Sequence, residues 1–268
     1  MEKKKRRLVF LGLLLTMGVS FLSFQLGMRW NEKDVKKISD IETMEAETAA
    51  EGAWTAFGRN CMVICPAFSD GTFCDFSIEA TPSSLLSLAD RLLPELEGKE
   101  QIAKAAAFYW RDKGNVYHGM DELHAGNILG IDPDFLSASG FQVEKGRGLT
   151  ERDVEEKRQV ALLDGRSANA LFSGTDPVGE TIEVEGRLYQ IAGVVSLGGS
   201  QTDGGLVLIP ESTWPEIYQY EEPKSVVIRA SEKNMDRETT TRLAQAAART
   251  LNSMIPETEP IHYKPLPN

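Results

Sequence analysis

The 268-residue chain has little of several things: one long apolar run, three histidines, three cysteines and no surplus of basic charge. Each shortage removes a class of function. There is no second apolar run of about 18 residues, so the chain does not form a multi-helix pore by itself. Lys and Arg number 29 against 40 Asp and Glu, a formal charge of -11, and such a surface repels nucleic acid and anionic lipid. His118, His124 and His262 match no zinc spacing. His118, Asp121, Glu122 and His124 do place four potential ligands within seven residues, but the Gly-punctuated stretch reads as a surface loop. The glycines from Gly193 to Gly205 form neither a Walker loop nor a dinucleotide fingerprint, because no Lys-Ser or Lys-Thr follows. They read as a flexible hairpin tip, a place suited to partner contacts.

Ser196, Ser200 and Ser212 lack a nucleophile elbow. Asp153, Glu155 and Glu156 read as a solvated helix start, and Trp54, Trp110 and Trp214 as core. Cys61 and Cys65, if extended, point the same way with Cα atoms about 13 Å apart, beyond disulfide reach. Cys74 can pair with either across a hairpin, or the thiols stay buried and reduced. A nucleophilic thiol needs a matched histidine, and none is near in sequence. The expectation is no catalytic residue, no cofactor and no metal, hence no enzyme.

What is present begins at the N-terminus. Lys3 to Arg7 form a basic tip, and Leu8 to Met28 then carries no charge. Those 21 residues make a helix of about 31 Å, the thickness of a bilayer core. Beyond Trp30 there are 23 basic and 39 acidic residues. A basic tip before an acidic body predicts a single-pass anchor, with residues 1–7 in the cytoplasm, 8–28 in the membrane and the body outside. A cleaved signal is the rival, but the exit Leu26-Gly27-Met28-Arg29-Trp30 fits it poorly. Residues 29–53 read as a stalk, with Ile38, Ile41 and Met44 at helical spacing.

The body, 54–268, alternates elements. Met62–Ile64 reads as a strand ended by Pro66, and Phe73–Ile78 as another. Thr81-Pro82 starts a helix with Leu85, Leu88, Ala89, Leu92 and Leu96 on one face, stopped by Gly98. Ile102–Trp110 follows as a strand. Asn127–Ile131, Val160–Leu163, Thr181–Val184, Tyr189–Val195, Leu206–Ile209 and Val226–Ile228 read as strands, with Gly186 in a hairpin turn. Short helices are expected at 133–137, capped by Asp132, and at 166–172. Asp236 caps a long helix whose buried stripe is Leu243, Ala247, Leu251 and Met254, ended by Pro256. A last short strand holds His262 and Tyr263. The fold class is α+β with two subdomains. A layered α/β part from 54–112 plus 224–263 frames an inserted β-rich part at 113–223.

One series of segments has a specific order. Ile131-Asp132-Pro133-Asp134-Phe135-Leu136 leads to Gly146-Arg147-Gly148-Leu149-Thr150 and Asp153. Asp176-Pro177-Val178-Gly179 then precedes a hairpin ending in Gly193-Val194-Val195. This resembles the extracytoplasmic core domain of MacB-type ABC transporter permeases, well over 127–209 and coarsely on either side. The resemblance implies a non-catalytic domain of two parts set between the first and second helices of a four-helix permease. It also implies partners: a membrane permease, indirectly its ATPase, and a small-molecule, lipid or peptide substrate. The later helices of that family are not in this sequence, which points to an accessory subunit or a split permease. Two other functions remain as alternatives. One is a stand-alone extracytoplasmic ligand-binding or sensing domain with a pocket between the subdomains. The other is an extracytoplasmic hydrolase.

Overall fold

The computed structural model describes residues 57–58, 60–68, 85–124, 126–199, 204–218, 222–231 and 237–266. All belong to the unit Ala46–Asn268. The basic tip, the apolar run 8–28, the stalk, Cys74, the Phe73–Ile78 strand, Thr81-Pro82 and Asp236 lie outside the described residues. Among the described residues no helix is long and apolar enough to cross a membrane.

The chain order is β1 (Cys61–Phe68), α1 (Leu88–Glu97), β2 (Ile102–Gly114), β3 (Val116–His118), β4 (Asp121–Glu122), β5 (Gly126–Ile131), α2 (Phe135–Ser139), β6 (Gln142–Gly146), α3 (Glu151–Glu155) and β7 (Val160–Asp164). Then come α4 (Gly165–Phe172), β8 (Thr181–Val184), β9 (Arg187–Ser196), β10 (Leu206–Pro210), α5 (Trp214–Ile217), β11 (Ser225–Ala230), α6 (Arg237–Asn252) and β12 (Ile261–Pro265). The strands form one mixed, open 12-stranded sheet in the order β12-β1-β11-β2-β5-β10-β7-β9-β8-β3-β4, with β6 added to β9. The strands from 61–114 and 225–265 are therefore neighbours, and β2–β5 pairing joins them to the strands in between.

Of the first four strands in that order, β1, β11 and the Ala105–Phe108 stretch of β2 are buried on both faces, whereas β12 leaves Lys264 exposed. Met62, Ile64, Ala105, Ala107, Val226 and Ile228 face α1 and α6, whose Leu88, Leu92, Leu96, Ala247 and Leu251 close one core together with Leu85. Cys61, Val63, Cys65, Ala106 and Val227 face a second core with Phe108, Phe135 and Phe141. Alanine is a weak strand former, but β2 is sandwiched, and small side chains let the layers approach. A third core lies under the far strands, around Ile128, Leu163, Val184, Tyr189, Val207 and Trp214.

Three sequence expectations need correction. Pro66 does not end β1, because it pairs with Tyr263 of β12. Ala230 N–H donates to Asn60 O and Leu266 N–H to Val63 O, so even residues of β1 point to β11 and odd ones to β12. The β11 register stops at Ile64, so the donor missing at Pro66 faces no ladder. The α6 stripe is Thr240, Ala244, Ala247, Ala248 and Leu251; Leu243 is only partly buried and Met254 is exposed. The His118–His124 stretch is not simply a loop: His118 ends β3, Asp121 and Glu122 form β4, these two strands pair, and β3 pairs with β8.

Candidate functional site

The residues most able to do chemistry are dispersed. His118 Nδ1 lies 3.0 Å from Leu171 O, and its ring packs 4.1 Å from Phe172. His124 is exposed and 3.7 Å from Glu122. His262 is half-buried in β12, opposite Ala67. Among the described residues no three His, Cys, Asp or Glu converge as metal ligands. Cys61 and Cys65 share the buried face of β1, as the extended reading required. Burial pushes the Cys61 thiol up to about 11, with Arg229 pulling weakly the other way, and the thiol donates to Ala138 O at 3.4 Å. That is a packed thiol, not an activated one.

The glycine segment is not a mere tip. A side chain on Gly193 would come within 2.5 Å of Arg147 O and 2.7 Å of Lys145 O. One on Gly198 would sit 2.9 Å from Gly58 N, and one on Gly205, at φ +75, 2.4 Å from Ser167 Oγ. Gly193 and Gly198 allow backbone to pack on backbone, and Gly205 lets the chain pass close to the Ser167 hydroxyl. Residues 200–203 lie outside the described set.

Asp153 is the largest departure from the sequence reading. It is fully buried rather than solvated. Its carboxylate takes two bonds from Arg147, at 2.6 and 3.0 Å, and bonds from Thr150 N–H and Oγ1–H at 2.9 and 2.7 Å. Thr150 in return caps Asp153 N–H, completing a capping box at the start of α3. Burial pushes the carboxyl up, but the Arg147 and Thr150 bonds outweigh it and hold the group down at about 2. The Thr-x-x-Asp spacing was visible in the sequence. The guanidinium that turns it into a clamp was not, because Gly146 at φ +69 is what folds Arg147 back.

A second network lies where β2 leaves the first four strands and the chain returns at 222–224. Arg111 and Glu222, both buried, form an ion pair across these two passages. The Arg111 guanidinium lies 4.5 Å over the Tyr218 ring. Tyr218 is 4.5 Å from Trp214, and Trp214 stacks on Tyr109 at 5.1 Å. At the other end Lys224 Nζ donates to Glu211 at 2.7 Å and Asp90 at 2.9 Å, 5.3 Å from Tyr109. Burial would lower the Lys224 pKa, but Glu211 and Asp90 outweigh it and raise it. Burial, then Glu185, raises that of Tyr218. Asp132, beside Glu211, is pushed up to about 6, chiefly by burial and then by the Glu211 charge. Nothing local in the sequence announces this seam, since Arg111 and Glu222 are joined only by the fold. It is built from aromatic rings and paired charges in mutual contact.

The family profile of the MacB-like periplasmic core domain matches residues 20–247. The chain is 33% identical over 103 residues to the macrolide export ATP-binding/permease protein MacB of Aggregatibacter actinomycetemcomitans, covering 37% of this chain and 16% of that protein. It is 32% identical over 143 residues to MacB 2 of Aeromonas hydrophila, covering 52% and 20%. An uncharacterized ABC transporter permease of Bacillus subtilis, YvrN, is 20% identical over 150 residues, covering 53% and 36%. The chain thus spans well under half the length of these relatives. Among solved structures, the periplasmic region of MacB from Actinobacillus actinomycetemcomitans superposes with a TM-score of 0.53 at 20% identity, over 78% of this chain and 90% of that one. The extracellular domain of the transporter YknZ from Gram-positive bacteria gives 0.53 at 15% identity, over 76% and 100%. At such identities the likeness establishes the fold alone.

Proposed function

The chain belongs to the MacB-like periplasmic core domains, and on that premise we propose that it is a membrane-anchored, extracytoplasmic component of an ABC-type export or related complex. It is an extracytoplasmic domain of a non-enzymatic kind. In this reading it contacts a membrane permease or the permease's substrate, and reaches the ATPase only indirectly. Leu8–Met28 anchors it, residues 1–7 stay in the cytoplasm, 29–53 form a stalk and 54–268 the working domain. Within that domain, 54–112 plus 224–263 act as one part and 113–223 as the other, joined through the Arg111–Glu222 and Lys224 seam.

The observation that carries this reading is the reach of the family match. It begins inside the apolar run and continues through most of α6. A ligand pocket between the two parts is less well supported, because Tyr109, Trp214 and Tyr218 fill the junction. The test is mild crosslinking in native membranes followed by purification of the full chain. A permease-like protein is expected in the eluate, and its absence at every crosslinker length would sink the idea. Protease added to intact cells or spheroplasts should remove the domain and spare residues 1–7.

A further inference from the structure

Met120, Val143, Leu188 and Met254 are the large apolar side chains exposed among the described residues. Two of them mark one end of the sheet. Met120 is fully exposed, at 101%, in the turn between β3 and β4, and Leu188 is 61% exposed on β9. The registers link them. Glu122 pairs with Tyr117, Tyr117 with Glu183, and Glu183 with Leu188. Directly paired residues share a face, so these four form one row across β4, β3, β8 and β9. The row spans about 14 Å at ordinary strand spacing.

Their neighbours Val116, Ile182, Val184 and Tyr189 point the other way and are buried. The row therefore faces outward, where Glu122, Glu183 and Leu188 are exposed and Tyr117 is half-buried. It reads acid, aromatic, acid, aliphatic. Among the described residues neither Asp121 nor Glu183 has an ion-pair partner, and Glu122 meets only His124, at 3.7 Å. The β4 edge itself is two acidic residues long, a form that discourages strand addition. Binding by the face is left, and its pattern specifies its complement: cations opposite Glu122 and Glu183, apolar groups opposite Tyr117 and Leu188.

We propose that the outward face of β4, β3, β8 and β9, centred on Tyr117 and Leu188, docks a segment of a partner protein in which Lys or Arg alternates with apolar side chains. This rests on the reading of the chain as a component of a membrane complex. Leu188 supplies the apolar contact, Met120 extends it past the edge, and the two glutamates set register and exclude acidic partners.

The test uses the full chain in living cells, with a photo-crosslinking amino acid in place of Leu188 and, as control, of Arg166, exposed on α4. The expected result is a crosslink from position 188 and not 166, to a peptide that sequencing shows to alternate basic and apolar residues. Glu122→Lys with Glu183→Lys should cut the yield about tenfold or more, since like charges then face each other. Acidic residues placed in the captured segment should restore it. Equal capture from both positions, capture that survives charge reversal, a crosslink to a second copy of this chain, or no capture would overturn the proposal. If position 188 fails while a permease still co-purifies, the docking face is wrong and the complex stands. If no permease co-purifies either, the complex reading falls with it.

Discussion

Replacing Asp132 by Asn should stabilise the protein at neutral pH and do almost nothing in acid. Asp132 Oδ1 accepts Phe135 N–H at 2.8 Å at the start of α2. Burial, the Glu211 charge and Asp134 push its carboxyl from 3.8 to about 6, against the pull of the Phe135 N–H and Lys224. The folded protein therefore keeps this proton to about pH 6, whereas the unfolded chain releases it near 3.8. Between those values the folded state binds more protons, so stability falls as pH rises through the window. Above it, the ionised carboxylate costs up to about 3 kcal/mol, since each pH unit between the folded and unfolded values is worth about 1.36 kcal/mol. Remaining solvent contact brings the expected gain to about 1–3 kcal/mol. Asparagine keeps the carbonyl that caps Phe135 and removes the charge. The assay is urea unfolding followed by tryptophan fluorescence from pH 3.5 to 8. The two proteins should differ most above pH 6 and converge near pH 3.5. A variant less stable at pH 7.5, or a difference that does not change with pH, would refute the reasoning.

Asp153 has the opposite sign: its carboxyl is held down at about 2, so its contribution is complete above about pH 4 and is lost as pH falls toward 2. Asp153→Ala should cost about 2–4 kcal/mol at pH 7, read by the same unfolding curves, because it strands Arg147 and removes the carboxylate half of the α3 capping box. Gly193→Ala should cost more than about 1 kcal/mol, and the change should appear at Arg147 and Lys145 in amide hydrogen exchange, since the new methyl group would meet their backbone carbonyls. Leu251→Ala should cost about 2–5 kcal/mol and Met254→Ala under about 0.5, a contrast that thermal melts would show directly.

Much of the fold was legible because local periodicity and burial coincide. Leu88, Ala89, Leu92 and Leu96 recur at helical spacing and are buried on α1; Leu85 is buried too, but in the turn before Leu88, where the helix begins later than Thr81-Pro82 indicated. Glu185 and Gly186, with φ of 49 and 80, turn β8 into β9 as the Gly186 signal indicated. Asp132 does accept Phe135 N–H, but the helix runs over 135–139 with Asp134 at its N-cap, two residues later than the expected 133–137. The misreadings share a cause. Asp153 looked solvated because charge alone was visible, not the guanidinium that meets it. Pro66 looked like a terminator because the side on which a strand lacks a neighbour is a property of the sheet. Met254 fell on the assumed stripe, but the buried face is centred on Ala244, Ala247 and Leu251.

The acidic charge, the apolar run at the front, the type of most elements and the order of segments that marks the family could all be read without coordinates, because each is written in neighbouring residues. Folding in three dimensions was needed to set β12, β1, β11 and β2 side by side, to bring Arg111 to Glu222, and to align Glu122, Tyr117, Glu183 and Leu188 in one outward row. Most of those pairings join residues far apart in the chain; within the outward row two are hairpin pairs, and the β3–β8 register is what joins the hairpins to each other.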